Sequence, residues 1–248
     1  MKNSTSLPTA PVSAIKGYQE AADFLAAKII SGELRPGTRL GSERKLSEAL
    51  NISRVTVRAA LAKLEADGLI YSKSRRGWFV SPPRFIYRLD RRANYKAMAQ
   101  AQGRRARVDL LSCGKLPDEA LPEAMRAQGC GGAYRLQRIR YLDELPVMFE
   151  TIYLRADTLP DLPAHDLTGS VTQLLADDYH IEITREDTSV RSSLLEPEQA
   201  IALGVAPGTP SLTIERRRYT ENQLVEFDNE SWLPGAIEIR LSQSDKAD

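Results

Sequence analysis

Between Ser42 and Val80 the apolar residues fall twice at helical spacing and then switch to short strand-like runs. Leu46 and Leu50 share one helix face, and Val57, Leu61 and Leu64 form the stripe of a second helix. Ser42 and Ser53 precede these runs as N-caps, where a hydroxyl accepts from an orphan backbone N–H. Asn51-Ile52 turns the chain between the helices. Gly68 stands where a left-handed residue ends the second one. Leu69–Ser72 and Trp78–Val80 read as two strands around the basic loop Lys73-Ser74-Arg75-Arg76-Gly77. Helix, turn, helix and hairpin together predict a winged helix-turn-helix. Upstream, Tyr18, Ala22, Leu25 and Ile29 form the inner stripe of a helix from about Ile15 to Ser31, ended by Gly32.

Beyond Ser81-Pro82-Pro83 the pattern changes. Val108–Cys113 is strand-like, and Pro122–Gln128 is a short helix ended by Gly129. Tyr134–Tyr141 and Val147–Leu154 alternate as strands around a turn. Ser170–Ala176 reads as a helix, Ile181–Leu194 as a strand region and Pro197–Leu203 as a helix. Pro210–Tyr219 and Leu224–Trp232 make a last hairpin. The sum is α+β, with a mainly antiparallel sheet. One hairpin repeats the other. Arg138, Arg140, Tyr141, Val147, Phe149 and Glu150 correspond to Arg216, Arg218, Tyr219, Val225, Phe227 and Asp228, all at an offset of 78. Six matched positions without a gap favour a duplicated architecture over chance.

The 248 residues predict two domains, each able to bury a core. The anticipated division is a disordered tail over 1–13, a winged domain over 14–80, a linker over 81–91 and a sheet domain over 92–242. Net charge is only +1 but unevenly spread. Residues 1–83 carry +6 and the remainder −5, as a basic nucleic-acid domain joined to an acidic partner would. Two cysteines give no disulfide framework, and no apolar run or signal peptide points to a membrane. A cytoplasmic protein is expected. The two histidines, His165 and His180, read as structural, and no metal, cofactor or catalytic group is anticipated.

Arg54 and Arg58 share a face of the second helix, with Thr56 beside them, so their guanidinium groups can reach guanine edges or phosphates. A solvated surface helix is the plain alternative, and the whole constellation favours DNA. The segment resembles the DNA-binding domain of the GntR family of bacterial transcription regulators. The match runs through Gly32, Leu34, Pro36-Gly37, Leu40, Ser42-Glu43-Arg44, Ser53-Arg54, Thr56-Val57-Arg58, Ala60-Leu61, Leu64 and Gly68-Leu69. It implies DNA contacts at Arg44, Arg54, Thr56 and Arg58, and at the wing tip Ser74, Arg75, Arg76 and Gly77. Two departures stand out: Gly41 replaces the usual Pro, and the wing reads Arg75-Arg76-Gly77-Trp78.

The rear part, from about 84 to 242, resembles the UTRA effector domain of the HutC-type branch of that family. The resemblance implies a chorismate-lyase-like fold of two related halves that binds a small metabolite. Strand alternation already places Arg138 and Arg140 on one face, with Glu150 able to converge if the hairpin pairs near Arg138–Glu150 or Arg140–Met148. From the residues alone, a ligand grip and plain ion pairing are equally good readings. The resemblance favours a ligand and places its site on Asn94, Tyr95, Arg138, Arg140, Glu150, Ser170, Thr172 and Trp232. Arg191 stands where sugar-phosphate binders of the family carry a carboxylate, which implies a more acidic ligand. A narrower likeness joins Arg75–Val80, Asn94-Tyr95 before Gln102-Gly103-Arg104, and Phe227-Asp228 before Trp232 to regulators of phosphonate utilisation.

The expected function is a metabolite-responsive repressor. It would bind a palindromic double-stranded DNA operator as a homodimer and be released by a small anionic effector bearing a phosphate or phosphonate. The alternatives are a chorismate-lyase-like enzyme domain fused to a DNA-binding domain, and an effector-independent DNA-binding dimer. Against the enzyme, the sequence shows no nucleophile–base pair.

Overall fold

The computed structural model describes residues 17–73, 77–89 and 94–241. The anticipated tail, the start of the first helix at Ile15, and Ser74, Arg75 and Arg76 of the wing tip lie outside them. The described chain divides into two units. One runs up to Ile86 and includes Pro234–Glu238; the other spans Tyr87–Leu233 and resumes at Ile239.

In the first unit, α1 (Tyr18–Ile30) is followed by β1 (Arg39–Gly41), α2 (Glu43–Leu50), α3 (Arg54–Ala66), β2 (Ile70–Lys73) and β3 (Gly77–Val80). The caps form as anticipated: Ser42 Oγ accepts from Lys45 N at 3.3 Å and Ser53 Oγ from Thr56 N at 3.1 Å. Leu25, Leu46, Leu50, Val57, Leu61, Leu64, Ile70 and Val80 make one buried core. The α1 stripe is shifted from the expected one. Ala21 is buried and Tyr18 is 46% exposed, because two alanines let this face pack closely while a phenol at the first turn stays in water. The sheet order β1-β3-β2 adds a strand of three residues, too short to leave a periodic signal. Gly41 has φ +94°. Proline, fixed near −65°, cannot take that angle, so this backbone needs the glycine that departs from the usual pattern. Gly68, at φ +73°, ends α3, and a Cβ there would stand 2.6 Å from Arg84 Nη2.

The anticipated linker is not a plain connection. It holds β4 (Phe85–Arg88), whose Phe85 and Tyr87 are buried and which pairs with β11 (Ile237–Arg240) as a two-stranded ribbon. The neighbouring prolines hid that alternation. The second unit then runs α4 (Tyr95–Ala101), β5 (Ala106–Pro117), α5 (Glu123–Arg126), β6 (Gly132–Leu142), β7 (Leu145–Arg155), α6 (Val171–Asp177), β8 (Arg185–Leu194), α7 (Pro197–Leu203), β9 (Pro210–Thr220) and β10 (Gln223–Trp232). The expected strand over 181–194 begins only at Arg185, since Ile183 turns into the core.

β5 through β10 form one antiparallel sheet in the order β5-β6-β7-β10-β9-β8. The anticipated duplication is visible in its register. β6 and β9 coincide under the 78-residue offset. Arg138 pairs with Glu150 and Arg140 with Met148 in the first half; Arg216 pairs with Asp228 and Arg218 with Glu226 in the second. At the centre, Thr151 of β7 opposes Asn229 of β10, themselves 78 apart, so a local two-fold axis passes between them. The architecture is therefore α+β in two domains, a winged helix-turn-helix and a sheet domain of two related halves.

Candidate functional site

On α3 the expected DNA-reading residues lie on the solvent side. Arg54 is exposed at the first turn, and Arg58 donates to both carboxylate oxygens of Glu43, at 3.2 and 2.9 Å. Arg58 is thus positioned by α2, a link the sequence did not suggest. The Glu43 carboxyl is held below its usual range, with the hydrogen bond from Arg58 as the main cause. Arg44 reaches Glu48 one turn on, at 2.6 Å. Thr56 shares a 2.8 Å hydrogen bond with the Ser53 hydroxyl. Val55, 76% exposed beside Arg54, escaped the sequence reading. Its only signal is an apolar residue on the side of α3 away from the Val57, Leu61, Leu64 stripe. Such a side chain suits a thymine methyl. Gly77 opens β3 with φ +91°.

The second unit holds a cavity of about 330 Å³ on one face of its sheet. Arg138 and Arg140 of β6 and Glu150 of β7 line its first half. Arg216 and Arg218 of β9 and Glu226, Asp228 and Glu230 of β10 line its second. Asn94 caps α4 and Ser170 caps α6, which brings Tyr95, Ser170 and Thr172 to the wall.

In the first half Arg138 is 1% exposed and nearly saturated. Its Nε and Nη2 meet Glu150 Oε2 at 2.7 and 2.6 Å, and its Nη1 donates to the carbonyls of Leu167 and Gly169 at 2.9 and 3.0 Å. It fixes the loop that leads into α6. Arg140 is different. Its Nη2 meets Glu150 Oε1, its guanidinium lies 4.9 Å from the Tyr95 ring centre, and its Nε has no partner among the described residues. Burial raises the Glu150 carboxyl, but Arg138 and Arg140 outweigh it and hold the group below its usual range.

In the second half Glu186 of β8 accepts from Arg216 at 2.5 Å and from Arg218 at 2.7 Å. Burial opposes its ionisation, yet these arginines hold it down to about 2. Glu230 accepts from Arg216 at 3.1 Å, Tyr87 at 2.9 Å and Trp232 at 2.8 Å. Arg218 also meets Glu226. Asp228 is left over. Burial first, then Glu150 and Glu230, push its carboxyl well above the usual carboxylate range. Its Oδ1, and Oε2 of Glu226, have no hydrogen-bond partner among the described residues. Oxygens of Glu150, Asp228 and Glu230 lie within 4.8 Å of one another. Arginines already occupy Glu150 and Glu230, so the trio is a charge network rather than a metal cage.

The structure therefore brings together Asn94, Tyr95, Arg138, Arg140, Glu150, Ser170 and Thr172. Trp232 is fully buried behind the wall, packed on Tyr87 with ring centres 5.0 Å apart, and supports Glu230 rather than facing the space. Arg191 is a correction. It points to the opposite face of β8 and lies 3.4 Å from Glu215, while Glu186 and Thr188 of that strand face the cavity. The inference of a more acidic ligand drawn from Arg191 falls with that placement. Glu186, Arg216, Arg218, Glu226, Asp228, Glu230 and Tyr87 were missed as site residues. The 78-residue repeat was the signal that could have found the arginines and Asp228.

Comparison with known proteins follows the same division. Residues 17–80 match the gntR family of bacterial regulatory proteins, and residues 101–236 match the UTRA domain. The HTH-type transcriptional repressor NagR of Bacillus subtilis is 28% identical over 208 residues, covering 83% of this chain and 85% of that protein. The histidine utilization repressor of Pseudomonas aeruginosa is 28% identical over 206 residues, 82% of this chain and 81% of the relative. The crystal structure of PhnF from Mycobacterium smegmatis shares the fold, with a TM-score of 0.61 at 22% identity over 91% of this chain and 100% of that one.

Proposed function

The chain belongs to the UTRA-domain regulators of the GntR family, and from that premise we propose a repressor whose DNA binding is switched by a small metabolite in the sheet-domain cavity. The carrying observation is Arg140. A half-buried guanidinium whose Nε has no hydrogen-bond partner among the described residues, in a cavity that Ser170 and Thr172 also line, supplies donors for an anionic oxygen head such as a phosphate or phosphonate. Named relatives are transcriptional regulators, so the second unit is given a sensing rather than a catalytic role.

The working form in this reading is a homodimer. Two winged units, through Arg54, Arg58 and the wing, grip the half-sites of a palindromic operator. The effector favours an arrangement that no longer fits both half-sites. The exposed apolar residues Leu110 and Leu111 on β5 and Val190 and Leu194 on β8, the two edge strands, support a contact through the sheet domain.

Selection of binding sites from a random duplex library, followed by a thermal-shift screen of phosphorylated and phosphonated metabolites, tests this reading. A selected site with two-fold symmetry and stabilisation by anionic compounds are expected. No sequence preference, or stabilisation by uncharged compounds alone, would contradict it.

A further inference from the structure

The two halves of the cavity are related by the local two-fold axis, but they are not charged alike. Each contributes two arginines. Glu150 and Asp228 correspond across the axis. Where the first half carries Val108, Met148 and Ile152, the second carries Glu186, Glu226 and Glu230 at the offset of 78. Among the described residues of the six-stranded sheet, with every acid counted as ionised, the first half holds one net positive charge and the second two net negative charges; Arg88 and Lys96, outside that sheet, also line the space. A wholly anionic ligand therefore suits only one end of the space.

The second end is also incomplete. Asp228 is 2% exposed and Glu226 fully buried, and both line the cavity. Each has an oxygen with no hydrogen-bond partner among the described residues. Buried acceptors are normally satisfied, and leaving one unpaired is costly. Arg218 reaches Glu226 and stands only at 4.0 Å from Asp228 Oδ2, so no arginine among the described residues closes the gap. Among the described residues, the cavity is thus short of a donor at the place where it has acids to spare.

We propose that Asp228 and Glu226 receive a basic ammonium group of the effector, which is therefore dipolar: an anionic head toward Arg140 and an amine toward β10. This rests on the reading of the cavity as the effector site and names the chemistry of its other end. An ammonium has three N–H donors and no acceptor, and so matches two open carboxyl oxygens. Glu150 faces Asp228 from β7, Glu226 and Glu230 from its own strand, Arg216 and Arg218 from β9, and Glu186 from β8. Burial and the neighbouring acids raise the Asp228 carboxyl well above its usual range, so a cation placed there would relieve an unfavourable charge. The ammonium pairs with the ionised form of that carboxyl.

The test uses matched probes that differ only in the amine: phosphoethanolamine against ethyl phosphate, and aminomethylphosphonate against methylphosphonate. Binding to the full chain is measured by calorimetry, for wild type and Asp228→Asn. Asparagine is the neutral isostere of the acid, and an unchanged circular-dichroism spectrum with a cooperative thermal transition confirms that the variant folds. At least one amine probe is expected to bind about tenfold tighter or more than its partner, a preference that falls to near unity in Asp228→Asn. Equal or tighter binding of the amine-free probes overturns the ammonium site while leaving the anion reading intact. A preference that persists in Asp228→Asn overturns the assignment to Asp228. Binding of none of the four overturns both the dipolar effector and its phosphate head.

Discussion

Arg138 and Glu150 stand opposite each other on β6 and β7, joined at 2.7 and 2.6 Å and at most 1% exposed. The same guanidinium holds the Leu167 and Gly169 carbonyls. This arginine builds the site more than it grips a ligand. Arg138→Ala strips a buried carboxylate of a partner and should cost roughly 3–5 kcal/mol of stability. Arg140→Ala leaves Arg138 on Glu150 and should cost clearly less. Urea denaturation of both variants decides; equal midpoints would refute the division of roles.

Arg54→Ala and Arg58→Ala should each weaken operator binding about tenfold or more, with the fold intact. Arg58 is held by Glu43 in the free protein, but an exposed ion pair contributes little and yields readily to a phosphate or a guanine edge. Fluorescence anisotropy with a selected operator measures both variants. Unchanged affinity in the pair removes α3 from the DNA interface.

Glu186 gives a pH signature. Its carboxyl titrates near 2 in the folded protein, lowered against burial by Arg218 and Arg216, and near 4.3 when unfolded. A lowered acid stabilises the fold above its unfolded value and loses that contribution as pH falls toward the folded value. Glu186→Gln should therefore be less stable than wild type at pH 7, by a margin that shrinks as pH falls from about 4.5 toward 2. A margin independent of pH would show that Glu186 acts through packing alone.

Sedimentation at micromolar protein should give the mass of a dimer, with or without DNA. One winged domain reads only a few base pairs, and a two-fold assembly matches a palindromic site. A monomer under both conditions contradicts the symmetric-operator reading.

Much of this was legible along the chain because it depends on local rules. Ser42 and Ser53 cap the expected helices, and the Arg138–Glu150 register follows from alternation across one hairpin. Arg191 was misplaced because alternation fixes a face only relative to a known neighbour, and the run from Ile181 hid where β8 begins. The acids Glu186, Glu226 and Glu230 were missed for another reason. They join the first half of the cavity only when β10 pairs with β7 at the centre of the sheet, and no pattern within β10 announces that pairing.

The most direct test of the account is release of DNA. A labelled operator bound to wild type and to Arg140→Ala is titrated with whichever anionic compound stabilises the wild-type protein, and anisotropy is followed. Both proteins should bind the operator alike. Wild type should release it as the compound is added, and Arg140→Ala should need at least about tenfold more, since it lacks the guanidinium proposed to meet the anionic head. Release of both at the same concentration would show that the cavity around Arg140 is not where the signal enters.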